Sequence, residues 1–208
     1  MRAYKFLDAA GRAPFTSTPW PTDEWIESAR VVPCREGVHA VLPDDLAHWL
    51  ADSLWEVELE DPVVDSRHKV VAARGRLVRE VAAYPDAVRE LAAVGAWRTR
   101  DRAVDALRAE GLDALADAFA AASTLDDLAA LGADLDESSW ATSAAALAAD
   151  AAHFALHGLP AQSPFVSVCA AGHFAAGPDG DRAAYDEGYA AERSFQSAWL
   201  VERLGILA

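Results

Sequence analysis

Cysteine is nearly missing from this chain: Cys34 and Cys169 are the only two among 208 residues. They could form one bridge at most, which excludes a disulfide-framed secreted scaffold and leaves two reduced thiols as the expectation. Lysine is as scarce, with Lys5 and Lys69 alone among 18 basic residues. Beside the abundant alanine, that scarcity reads as the coding bias of a GC-rich genome rather than as chemistry. Basic charge is short overall, because 33 acids leave a net charge of -15. A chain of that charge lacks the Lys and Arg excess that releases counterions from a phosphate backbone, so nucleic acid is not an expected partner. Nowhere is there an uncharged apolar run of about 18 residues, and no membrane association is expected. The first residues, Met1-Arg-Ala-Tyr-Lys-Phe-Leu-Asp, also lack the apolar core of a signal peptide, so the expected location is cytoplasmic. Catalytic signatures are missing too: no Gly-rich phosphate loop, no Gly-x-Ser-x-Gly elbow, no His-Glu-x-x-His and no Cys-x-x-Cys occurs.

What is present divides by texture. With 52% hydrophobic and 25% charged residues the composition is that of a packed protein. Residues 1–82 carry the strand-like patterns, and residues 83–208 are rich in alanine, leucine and spaced charge. The expected fold is therefore α+β, a small N-terminal mixed β-sheet module followed by a packed, Ala-rich helical part. Alternation in Glu56-Val-Glu-Leu-Glu60 puts Val57 and Leu59 on one side of a strand and the three glutamates on the other. Short strands are also expected at Tyr4-Lys-Phe-Leu, at residues 37–42, at Val63-Val64 beyond an Asp61-Pro62 turn, and across residues 69–81 with a break at Gly75. Pro43-Asp44-Asp45 has helix-starting chemistry, predicting a helix to about Ser53. Four prolines, Trp20 and Trp25 fall within residues 14–33. That stretch is either a loop pinned by its aromatics or a lid with a stacking platform, with a helical turn at residues 22–27. Helices are expected over residues 86–94, 98–110, 112–122, 125–131, 138–157, 164–176 and 181–204. Leu107, Leu112, Leu115, Phe119, Leu125, Leu128 and Leu131 supply their apolar face.

The unusual side chains concentrate in residues 34–81. His39 follows Gly37, a residue that permits close backbone approach to a ligand, and its imidazole can serve as a general base or simply bond a carbonyl. Arg74 and Arg76 share a strand face. They either make cross-strand ion pairs with Glu56, Glu58 and Glu60 or form an anion site. Among the helices, His153-x-x-x-His157 and Cys169-x-x-x-His173 would meet if their helices form a hairpin, with His153 near Cys169 and Asp150 near His173, giving a zinc site of imidazole, thiolate and carboxylate ligands; the competing reading is a solvated polar face.

The order Tyr4-Lys-Phe, Cys34-x-x-Gly37-x-His39-Ala, Trp49-Leu, Trp55-Glu-Val-Glu and His68-Lys69-Val-Val-Ala-Ala resembles a module of uncharacterised actinobacterial proteins. It is similar also to a phage module with a Gly-Phe-His-Ala core, where this chain has Val38 in place of Phe. The resemblance spans roughly residues 1–80 and implies no activity. The residues themselves favour a ligand- or protein-binding accessory protein, with Tyr4, Trp20, Trp25, Lys69 and Arg76 as ligand contacts. The alternative is a small enzyme like an ADP-ribosyltransferase, with His39, Glu58 and Arg74 converging on one cleft. A third is the zinc-binding helical protein. A small molecule or a protein is the expected partner.

Overall fold

The computed structural model describes residues 1–206 apart from Asp134, Glu137 and Leu159. The α+β class is what forms. The chain divides into two compact units, one of residues 1–87 with the residues from 197 on, the other of residues 88–196.

The first unit is built on one sheet of β1 (Arg2–Leu7), β2 (Ile26–Glu27), β3 (Val38–Ala40), β4 (Ser53–Ser66) and β5 (Lys69–Glu80). Strand β5 is shared, pairing with β4 along one edge and with β2 and β3 along the other. All ladders are antiparallel, and one isolated parallel bridge joins Thr22 to Leu77. Tyr4 and Val41 exchange both backbone hydrogen bonds at 2.8 Å, so β1, β4, β5 and β3 return on themselves as a ring. Ala3, Leu7, Val38, Ala40, Val57, Leu59, Val70, Ala72 and Leu77 form the buried cluster of this sheet.

Local departures from the sequence expectation have physical causes. The helix after Pro43 is a short 3₁₀ segment, Pro43–His48, because Ser53 and Leu54 are claimed by pairing with Leu7 and Phe6. Residues 26–27 form strand β2 instead of a helical turn, pairing with Gly75 and Arg74. Pro62 lies inside β4 without ending it, at a register shift between Glu60 and Val63 where its missing N–H deprives no ladder. Gly75 continues β5: a Cβ there would stand 2.8 Å from the side chains of both Leu59 and Val38, so the glycine marks close packing rather than a break.

The second unit holds most of α1 (Tyr84–Ala109), then α2 (Asp113–Ala121), α3 (Leu125–Ala130), α4 (Trp140–Leu156), α5 (Gln162–Ala176) and most of α6 (Arg182–Leu204). Helix α1 runs through Gly95, where two helices were expected, because a Cβ at that position would fall 2.7 Å from Ser167 Oγ; the glycine admits α5. Leu107, Phe119 and Leu128 are fully buried among the alanines of α4, with Leu112, Leu115, Leu125 and Leu131 packed against them. Glu192 is fully buried and accepts from Arg98 at 3.1 and 3.0 Å and from Arg102 at 2.6 Å. No helix among the described residues is long and apolar enough to cross a membrane.

Candidate functional site

Gly37 sets up the site. Its φ of 128° is open only to glycine, and a Cβ there would meet Val71 at 2.5 Å. The chain thereby lays Val38, His39 and Ala40 against Ala72, Val71 and Val70. His39 is held by backbone on both ring nitrogens: Nδ1 lies 3.0 Å from the Gly37 carbonyl oxygen, and Nε2 accepts from the Cys34 N–H at 3.2 Å. A donor at Nδ1 and an acceptor at Nε2 together describe the neutral ring. Burial, and then the charge of Lys69, lower its pKa; the Gly37 bond acts the other way, and Lys5 adds to the lowering. With Nε2 occupied, His39 organises the loop at Cys34 more readily than it removes a proton from a ligand.

Beside it opens a cavity of about 490 Å³, lined by Tyr4, Lys5, Phe15, Trp20, Cys34, Gly37, His39, Trp49 and Lys69 among others. Both lysines of the chain are here, brought together by β1 and β5 although 64 positions separate them. Lys5 Nζ donates to the His39 carbonyl oxygen at 2.9 Å and stands 4.8 Å from the Trp20 ring centroid. Lys69 Nζ stands 5.1 Å from the Trp49 ring, and Phe15 meets that ring edge-on at 5.8 Å. Burial, with the like charge of Lys69 behind it, pushes the Lys5 pKa down to about 8. The cavity is therefore cationic at one side and aromatic around it, in a protein of net charge -15.

Of the residues singled out from sequence, Tyr4, Trp20, His39 and Lys69 line this cavity. Glu58, Arg74, Arg76 and Trp25 are not among its lining residues. Glu58 accepts from Arg76 at 2.9 and 2.7 Å. Arg74 lies between Glu60 at 3.1 Å and Glu27 at 3.0 Å, and the Trp25 ring carries both guanidinium groups, at 4.4 and 4.9 Å. Arg79 pairs with Glu56 in the same ladder. Cross-strand ion pairing thus engages Glu56, Glu58, Glu60, Arg74, Arg76 and Arg79.

The helical histidines are likewise dispersed. His153 and His157 adjoin each other on α4, with ring centroids 4.3 Å apart, whereas His173 stacks on Trp140 and Cys169 bonds Tyr185. Among the described residues no three of His153, His157, Cys169, His173 and the carboxylates bring donor atoms together; the group that does is Asp45, His48 and His68. Sequence reasoning passed over Lys5, Phe15, Trp49 and this triad. The scarcity of lysine was the available signal, and only the strand register reveals that the two lysines meet.

Comparison with protein-family models, curated proteins and solved structures finds no match to this chain.

Proposed function

We propose that the N-terminal unit is a binding module for a small organic anion with a planar apolar body, as part of a cytoplasmic accessory protein. The observation that carries this reading is the convergence of both lysines of an acidic chain on one cavity walled by Trp20, Trp49 and Phe15. Its volume of about 490 Å³ suits small molecules, whose sites span about 300–1,000 Å³. Ammonium groups supply the attraction for carboxylate or phosphate, and indole faces supply stacking area for the ligand body. Phe15 is 83% exposed, a large apolar side chain left for a ligand to cover. The two free thiols support a reducing compartment. Transfer chemistry of the ADP-ribosyltransferase kind has weaker support: it asks for a carboxylate facing His39, whereas Glu58 is paired with Arg76 and Glu36, at the cavity, is paired with Arg30.

The test is titration of tryptophan fluorescence with benzoate and phenyl phosphate, with benzyl alcohol as the uncharged control. A saturable change with the anions alone is expected. Lys69→Met should weaken it roughly tenfold to a hundredfold, since a charged hydrogen bond contributes about 1.5–3 kcal/mol. No saturable change, or an equal response to the alcohol, removes the reading.

A further inference from the structure

The turn between β4 and β5 has two residues, Arg67 and His68, because Ser66 pairs with Lys69. His68 is in the left-handed region, φ 60°, where a side chain costs about 1–2 kcal/mol and where glycine or asparagine is the usual solution. The histidine at that position reaches the 3₁₀ segment. Its Nδ1 lies 2.8 Å from Asp45 Oδ1, and its ring lies flat on His48 with centroids 3.8 Å apart. His48 Nε2 is 3.9 Å from the same Asp45 oxygen. All three side chains are partly buried, and one donor atom from each lies within 4.8 Å of the others.

We propose that Asp45, His48 and His68 bind one divalent transition-metal ion of the zinc type through a carboxylate and two imidazoles. The donor set selects the ion. Imidazole with carboxylate suits zinc and its first-row neighbours, whereas calcium and magnesium prefer shells of oxygen. The spacing agrees with it: zinc bonds to nitrogen and oxygen of about 2.0–2.2 Å put neighbouring donors roughly 3.3 Å apart in a tetrahedron. The observed 2.8 and 3.9 Å straddle that separation. Stacked rings, 14° from parallel, do not yet aim both lone pairs at one point. Rotation of one imidazole about χ2, a broad torsion, brings them together. Side-chain exposures of 18%, 38% and 25% for His48, His68 and Asp45 leave a route for the ion and room for water as a further ligand. The Trp49 indole N–H donates to the His68 carbonyl oxygen at 2.6 Å, fixing the turn that presents the ring. The ion would brace Trp49 and Lys69, the chain neighbours of His48 and His68, but the site rests on its own donors and not on what fills the cavity.

The test uses the full chain without a histidine tag, stripped with a chelator, dialysed against zinc and assayed for metal by mass spectrometry and for thermal unfolding. One zinc per chain and a raised Tm are expected, with visible absorption bands on cobalt substitution. His48→Gln and His68→Gln should each weaken zinc by at least the roughly 10–100-fold that an outer-shell partner is worth, with far-UV dichroism unchanged. Asp45→Asn, which keeps a hydrogen-bonding oxygen, should weaken it too. The double variant His153→Gln/His157→Gln should bind as the parent does. Absence of stoichiometric zinc in the parent, or zinc that survives both His48→Gln and His68→Gln, overturns the proposal.

Discussion

Lys5→Met should make this protein more stable and a poorer binder. Lys5 is held at about 8, against 10.5 for an ordinary lysine. Below pH 8 both folded and unfolded chains carry the proton, and the folded state bears the full penalty of a charge in a partly dry site. Between pH 8 and 10.5 the unfolded chain binds the proton that the folded one has released, so stability rises with pH across that window. At 1.36 kcal/mol per pH unit the penalty at pH 7 is about 3 kcal/mol. Methionine removes it but forfeits the hydrogen bond to the His39 carbonyl and the contact with Trp20, together about 1–2 kcal/mol. The net expectation is a gain of about 1–2 kcal/mol at pH 7 that shrinks to about zero near pH 9.5, as the penalty falls to the size of the forfeited contacts. Urea unfolding of parent and variant at pH 7 and pH 9.5, read by tryptophan fluorescence, measures it. A difference between the two proteins that is the same at both pH values refutes the reasoning. Weaker anion binding by the stabilised variant would show that the lysine is kept for the cavity and not for the fold.

Three further outcomes are expected. His39→Gln should flatten the loss of stability as pH falls below about 6.5: the folded pKa of His39 is lowered, so the unfolded chain takes up the proton first, and parent and variant melts at pH 7 and pH 5 will show it. Glu192→Ala should destabilise by about 2–4 kcal/mol, because Arg98 and Arg102 lose their common carboxylate; partial exposure of both arginines keeps the figure below that of a fully buried pair, and thermal unfolding is the check. Gly95→Ala should destabilise by about 1–3 kcal/mol despite alanine's better helix propensity, since its methyl would fall 2.7 Å from Ser167 Oγ; Ser167→Ala in the same chain should recover part of that loss in denaturant titrations.

Much of the fold was legible where period and burial agree. Val57 and Leu59 alternate with glutamates and are buried as the alternation requires, and the leucine spacing from Leu107 to Leu131 yields the core of the helical unit. Glycine misled twice in one way: Gly75 and Gly95 punctuate the sequence but serve close packing, which depends on a neighbour from elsewhere in the chain. The site was half legible. Gly37 and His39 announce a special backbone locally, whereas Lys5 and Lys69, or Asp45 and His68, become neighbours only through ladder register. The same register turned Glu58 and Arg74 into ion-pair partners of other residues.

The discontinuity of the first unit bears on how the chain is made. Residues from 197 on belong with residues 1–87, and the Ser197 hydroxyl oxygen accepts from the buried Ala47 N–H at 3.1 Å, one residue before His48. During synthesis the whole helical unit is translated before that partner exists. The segment carrying Asp45, His48 and Trp49 therefore gains this contact only from a serine made 150 residues later. Chain order therefore does not set the order of completion: the helical unit is continuous in sequence, whereas the first unit has all its parts only once the last helix has been made.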